Sequence, residues 1–234
     1  MDPLAGSPWS TPETVAGFAR SPPNEVLVKF ASDELQRMGS GRVLDLGCGA
    51  GRNAVPIAQL GWDVVGADLS WPMLEAAALR AREEHLSDRM HLTLARMDQI
   101  PARDATFDLV IAHGIWNLAR SADEFRHAVS EAARVAKHGA ALFVFTFSRH
   151  TLPPDAEPVP NEPFVFTQFS GRPQCFLTET QLTGELAAVG FARDSSIPLR
   201  EYNRRQPGTI ASGAPVIYEA AFRLTGEPRQ PASC

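Results

Sequence analysis

The stretch VLDLGCGAGRN, Val43 to Asn53, constrains this chain more than any other. A short apolar run carries an acid, Asp45, and Gly47, Gly49 and Gly51 follow at alternate positions before helix-forming residues begin. That order reads as a strand, a tight turn and a helix start. It is the corner that cradles a nucleotide-like ligand in a doubly wound α/β domain. Such a corner demands a strand–helix rhythm in the rest of the chain.

The rhythm is present. Asn24 caps a helix over NEVLVKFASDELQRMG that Gly39 stops, and Val26, Leu27, Phe30, Leu35 and Met38 follow roughly one face. Strand RVLDL precedes helix RNAVPIAQL, which Gly61 ends; strand DVVGA leads to Asp68, and helix PMLEAAALRAREEHL follows Ser70. MHLTLA and FDLVIA read as the third and fourth strands. A Ser121/Glu124 capping box opens the helix SADEFRHAVSEAARVAKHG, and AALFVFTF is an apolar run suited to a strand buried on both faces. After Phe147 the rhythm breaks into a stretch rich in Pro and Phe, expected to be a loop acting as a lid or binding wall. A Thr178/Gln181 capping box then opens a helix that Gly190 closes, and FARDSSIPL and PVIYEAAFRL predict two late strands that pair antiparallel. The residues before Asn24 are expected to be irregular.

The predicted architecture is a doubly wound, mostly parallel seven-stranded sheet with helices on both faces and a C-terminal antiparallel pair. It forms one domain over 1–234: a cover and helix at 1–40, a core at 41–148, a lid at 149–177, and a last helix and strand pair at 178–234. The 234 residues, 44% hydrophobic and 21% charged, suffice for such a core. A net charge of −5 without a long basic run argues against nucleic acid. Arg200, Arg204 and Arg205 form either a solvated face or a contact for an anionic group. The start lacks the apolar segment of a signal peptide, and no window reaches the length of a membrane span. Cys48, Cys175 and Cys234 make neither a metal pattern nor a disulfide framework, which suits a reducing, cytoplasmic setting.

Asp45 selects among ligands. A dinucleotide turn reads G-x-G-x-x-G, but Arg52 stands at the third glycine position here, and a carboxylate at the strand end would repel a pyrophosphate. The same acid suits a ligand with a cationic amino-acid end and no phosphate, as in S-adenosyl-L-methionine. Asp68 is placed either to accept ribose hydroxyl protons or to cap the next helix.

VLDLGCGAGRNAVPIAQLGWDVVGADLSWPMLEAAALRA resembles the glycine-rich motif and acidic second strand of class I S-adenosylmethionine-dependent methyltransferases. The likeness runs through FDLVIAHGIWNL and EAARVAKHGAALFVFTF, from about Arg42 to Phe147. It implies that Asp45, Gly47, Cys48, Gly49 and Gly51 surround the methionine part, Asp68 the ribose, and Leu69 and Met73 the adenine; Asn53 and His113 are further cofactor-binding candidates. Relatives often carry an acid where Arg96 stands, so Asp98 becomes the candidate for the adenine edge, with Met97 packing on the ring.

AHGIWNLAR lacks the Asn/Asp-Pro-Pro-aromatic signature of base methylation, so the expected acceptor is a small molecule and the protein a monomer or homodimer. His113 is a candidate base or orienting group, with Asn117 beside it. Trp9, Trp116, Arg149 and His150 are candidates for the acceptor wall, although Trp116 also suits the core. No cluster of ligating residues demands a metal. A nicotinamide-dependent oxidoreductase and a non-catalytic S-adenosylmethionine binder are the alternatives.

Overall fold

The structure, a computed structural model, describes residues 2–204 and 214–226; Arg205 and Cys234 lie outside them. Five parallel strands form its centre: β1 (Arg42–Leu46), β2 (Asp63–Asp68), β3 (Met90–Leu94), β4 (Phe107–His113) and β5 (Ala136–Phe147). β8 (Phe191–Arg193) and β10 (Ile217–Leu224) complete the row β3-β2-β1-β4-β5-β10-β8, with β10 antiparallel to both neighbours. This is the expected seven-strand row with its antiparallel pair. The strand expected over FARDSSIPL shortens to β8, and an eighth short strand just past it, β9 (Arg200–Tyr202), adds to β10. FARDSSIPL breaks because Asp194 accepts from the Ser196 backbone N–H at 2.9 Å, turning the chain after β8.

The apolar stripes decide which helices cover which face. α2 (Glu25–Met38), α3 (Ala54–Gln59) and α4 (Trp71–Glu83) bury Leu27, Phe30, Ile57 and Ala77 against Val43, Leu109 and Phe143. On the other face α5 (Ala122–Val135) and α6 (Glu179–Ala188) bury Phe125, Val129, Leu182 and Leu186 against Leu44, Val110 and Val144. The capping side chains are those read from the sequence: Asn24, Ser70, Ser121 and Thr178 each accept a first-turn N–H.

Three stretches differ from expectation. The start is ordered: α1 (Pro12–Arg20) follows a single 3-10 turn, with Thr11 as its cap and proline in the first turn of each, where no N–H is needed. α5 ends at Val135, because Ala136 already pairs with Phe107 and Lys137 reaches Asp108 at 2.9 Å. The insertion after β5 is packed, carrying the hairpin β6 (Val165–Phe166) and β7 (Gln174–Cys175). Phe164 enters the main core against Phe125, ring centres 5.3 Å apart, and Phe166, Phe176 and Leu152 form a second small core.

Candidate active site

The turn after β1 lies at the carboxyl ends of β1 and β2. Gly47, Gly49 and Gly51 have φ of +66°, +52° and +74°, the left-handed region that alternate glycines permit. A side chain on Gly47 would start 2.7 Å from Ile115. Arg80 of α4 donates to the Ala50 carbonyl at 2.9 Å and holds the turn from below. Cys48 points its thiol at β2, where a Cβ on Gly66 would sit 2.8 Å from Sγ, so only its backbone can meet a ligand in the turn. Burial pushes that thiol upward and keeps it protonated.

Asp68 accepts from Gly49 N–H at 2.9 Å and Ser70 N–H at 2.8 Å, locking the turn to the end of β2. Burial raises its pKa against these bonds. Ser70, not Asp68, caps α4, which removes the capping alternative. Asp45 is 2% exposed and accepts no hydrogen bond among the described residues. Burial raises its carboxyl to about 7, with Arg52 opposing and Asp68 adding.

His113, at the end of β4, is held from every side. Its ring stacks on Phe145, centres 4.1 Å apart and planes at 8°. The Asn24 amide has a fixed orientation, because Oδ1 accepts from Leu27 N–H at 2.9 Å and Nδ2 donates to buried Glu219 at 2.7 Å. The same Nδ2 lies 3.2 Å from His113 Nε2, so a donor faces this nitrogen. Arg52 stands 3.1 Å from Nδ1 and 3.4 Å from Nε2. Burial and the Arg52 charge pull the imidazole down to about 3. Of the two roles expected for His113, this geometry suits orientation, because Asn24 and Arg52 put a donor at each ring nitrogen and the lone pair is engaged in either tautomer.

Asn53 accepts from Asn24 N–H at 3.0 Å, so its side chain ties α2 to the turn instead of facing a ligand. Met73 is buried beneath the turn, its sulfur 3.8 Å from where a Gly49 Cβ would lie, and Phe18 of α1 comes equally close. Leu69 is half-buried beside it. The N-terminal segment docks here: Ser10 meets Ser70 at 3.1 Å, Ser70 donates to the Trp9 carbonyl at 3.2 Å, and Trp9 packs edge-on to Phe18.

Other expected residues lie apart from this cluster. Asp98 holds Arg96 through two bonds of 2.7 Å, and Met97 packs on the main core. Trp116 is fully buried against Phe125, a core residue and not an open wall, since FDLVIA delivers it under α5. Asn117 is buried, with Oδ1 lacking a partner among the described residues. Arg149 donates to the carbonyls of Leu152, Pro153, Pro154 and Ala156 and stands 4.8 Å from the Phe166 ring, so the insertion uses it as a clamp. His150 pairs with Glu201 at 2.6 Å. Sequence reasoning missed Asn24, Arg52 and Glu219 as site residues. A lone acid inside the apolar run PVIYEAAF was the available signal for Glu219.

A parallel sheet with a glycine turn over its carboxyl ends, closed by acids on β1 and β2, defines a Rossmann-like ligand-binding domain. Residues 43–139 match the methyltransferase domain family, and the chain carries a class I S-adenosylmethionine-dependent methyltransferase domain over them. It is 33% identical over 129 residues to the ubiquinone/menaquinone biosynthesis C-methyltransferase UbiE of Geobacter sp. (strain M21), covering 53% of each chain. It thus spans about half the length of the curated relatives it matches. Among solved structures, the 1,6-didemethyltoxoflavin-N1-methyltransferase of Burkholderia thailandensis, with bound 1,6-didemethyltoxoflavin and S-adenosylhomocysteine, superposes with TM-score 0.63 at 18% identity, over 87% of this chain and 80% of that one. The cyclase SpnF superposes with TM-score 0.65 at 20% identity, over 96% and 91%.

Proposed function

We propose that this protein transfers a methyl group from S-adenosyl-L-methionine to a small-molecule acceptor, releasing S-adenosyl-L-homocysteine. One observation carries the reading. Asp45 is a buried acid without a donor among the described residues, behind three left-handed glycines, where an ammonium gains and a pyrophosphate is repelled. When bound, the cofactor supplies an electrophilic methyl on a sulfonium. Asp45 takes its α-ammonium and Arg52 its carboxylate, while Asp68 receives the ribose hydroxyls on lone pairs that Gly49 and Ser70 leave free. Leu69 and Met73 flank the adenine. His113 stays neutral and orients ligands, and Asn117 offers its unpartnered Oδ1. In-line transfer needs alignment and dryness above all. The N-terminal segment and the insertion after β5 supply the cover as parts of a single working domain.

Among the described residues no helix is long and apolar enough to cross a membrane. The free, buried thiols of Cys48 and Cys175 suit a reducing cytoplasm. We assign the protein there, as a monomer or homodimer without a nucleic-acid partner.

Calorimetry tests the ligand: S-adenosylmethionine or its demethylated product should bind at least about tenfold more tightly than NAD. Asp68→Ala should weaken that binding by about 1.5–3 kcal/mol, the worth of charge-assisted hydrogen bonds. Labelled cofactor with thiol, phenol, amine and carboxylic acceptors then tests transfer. The alternative is a non-catalytic S-adenosylmethionine binder, in which the cofactor binds and no methyl moves; binding without transfer to any acceptor class would favour it. NAD binding as tight as that of S-adenosylmethionine would overturn both.

A further inference from the structure

Register pairing places His113 of β4, Phe145 of β5, Glu219 of β10 and Arg200 of β9 in one row across the sheet. Side chains paired in register share a face, and Phe145 packs on the core beneath α2, so the row lies on that side. Nearer the strand ends, Phe147, Ile217 and Tyr202 make a second row on the same face. Two routes join the first row to the glycine turn. Asn24 Nδ2 lies 2.7 Å from Glu219 Oε1 and 3.2 Å from His113 Nε2, and Arg52 stands 3.1 Å from His113 Nδ1. Asn24 N–H also donates to Asn53 Oδ1 at 3.0 Å, so a single residue links Glu219 to the turn.

Glu219 is 4% exposed, and among the described residues its carboxylate meets only the neutral Asn24 amide, leaving Oε2 without a partner. Arg200, its register partner on β9, is exposed and makes no ion pair with it among the described residues. Arg52 has Asp45 as its charged neighbour. Buried carboxylates are ordinarily paired with a cation, so this one is under-compensated. Holding the Asn24 amide does not require a charge; a neutral acceptor would serve. The surroundings are not sealed either. His113, Phe145, Asn24 and Arg52 are half-buried, as are Phe147, Ile217 and Tyr202, which sets Glu219 at the floor of a recess with an apolar rim.

We propose that Glu219 selects an amine as the acceptor. Its open oxygen receives an N–H of a primary or secondary amine whose apolar body lies on Phe147, Ile217 and Tyr202. The inference rests on the methyl-transfer reading and names the substrate class of that site. The lone pair of the neutral amine forms the bond to the methyl carbon, and the carbon–sulfur bond breaks with its pair returning to sulfur. The nitrogen keeps its hydrogens, so the positive charge passes from sulfur to nitrogen and no base takes part. Glu219 stabilises that charge as it develops. A hydroxyl acceptor would have to lose a proton, and the cluster offers it no suitable base. His113 faces a donor at each ring nitrogen, and a carboxylate is far less basic than the anion of a phenol.

The test uses the full chain with benzylamine and 2-phenylethylamine as probes, and benzyl alcohol and 2-phenylethanol as their neutral counterparts. With S-adenosylhomocysteine saturating, calorimetry should find at least one amine bound about tenfold or more tightly than its alcohol, the preference a buried carboxylate confers. Labelled S-adenosylmethionine should methylate that amine and neither alcohol. Glu219→Gln keeps the shape and the acceptor for Asn24 but removes the charge. It should lower kcat/KM for the amine by about 10²–10³, the worth of one electrostatic contact at a reacting centre, and erase the preference for amine over alcohol. Binding of S-adenosylhomocysteine should be unchanged. The wild-type comparison of amine with alcohol stands whether or not the variant folds. Three results would each overturn the inference: a chain that binds S-adenosylhomocysteine but neither binds nor methylates an amine probe, an amine preference that survives Glu219→Gln, or a Glu219→Gln chain that loses S-adenosylhomocysteine along with the amine. A wild-type chain that binds neither the cofactor nor its product would overturn the methyl-transfer reading itself.

Discussion

Two irregular segments lie over the carboxyl ends of the strands, and they treat their polar groups in opposite ways. The glycine turn after β1 is locked by Asp68 and Arg80, yet it leaves the buried Asp45 carboxylate without a donor among the described residues. In the insertion after β5, Arg149 satisfies four backbone carbonyls and lies over Phe166, while Phe164 and Phe176 fill apolar cores. A segment that is rigid and still unsatisfied is prepared to bind, because the ordering is complete before a ligand arrives. One that satisfies itself is a wall. The contrast therefore separates residues that should change ligand affinity from residues that should change only stability.

Glycine substitutions should break the comparison most sharply. Gly47→Val forces a side chain into φ +66°, about 1–3 kcal/mol of strain, and starts it 2.7 Å from Ile115, where overpacking adds about 1–3 kcal/mol. Cofactor binding by calorimetry should vanish and the melting temperature should fall. Gly171 in the insertion has a similar φ of +73° with nothing within 4 Å of a Cβ. Gly171→Ala should cost only the strain, about 1 kcal/mol, and leave affinity unchanged. Equal effects on binding at the two glycines would show that the turn is no more a site than the insertion.

Asp45 supplies the next largest effect, through pH. Its folded pKa of about 7 lies above its ordinary value of 3.8, so the folded chain holds a proton that the unfolded chain releases between them. Stability should therefore fall as pH rises from about 4 to 7, by on the order of 4 kcal/mol, and level off above. Asp45→Asn should remove that slope in urea melts. A cationic ligand favours the ionised acid, so binding near pH 6 should release a proton, visible in calorimetry across buffers of different ionisation enthalpy. Proton uptake on binding would contradict the ammonium contact.

The two segments also differ in how far they could be read from residues alone. β1, β2 and the alternate glycines follow local rules: apolar runs, caps and backbone conformations that few residues adopt. Those elements and the acids at Asp45 and Asp68 were legible within a residue or two. The insertion has no period, because its order comes from aromatic side chains meeting residues distant in sequence, such as Phe164 on Phe125. Arg149 could not be recognised as a clamp without its carbonyls in place. The start reads as irregular because prolines commonly break helices, although Pro8 and Pro12 stand in first turns where proline is tolerated. Asn24 was visible as a cap, but its second amide hydrogen reaches His113 only because β4 and β10 bring His113 and Glu219 to it.

Removing the clamp should sharpen the contrast from the other side. Arg149→Ala loses charge-assisted bonds to the turn after β5 and should cost about 1.5–3 kcal/mol of stability in urea melts. Cofactor affinity should hold within about threefold, because nothing in the glycine turn depends on this side chain. A folded variant of normal stability whose affinity drops more than about tenfold would return Arg149 to the binding machinery.

The smallest expected effect is at Asp98, the candidate for the adenine edge. Both of its oxygens accept from Arg96 at 2.7 Å, and the side-chain bonds to Arg96 are the main reason its carboxyl sits below the ordinary range. To meet an adenine amino group it would have to share or exchange one of those bonds, so a ligand gains little by the contact. Arg96 is half exposed, and an ion pair of this kind contributes about 0–1 kcal/mol. Asp98→Asn should therefore shift the melting temperature only slightly and change S-adenosylmethionine affinity by less than about threefold. A loss of tenfold or more with an intact fold would mean that Arg96 gives way to the ligand, and the adenine site would extend to the loop after β3.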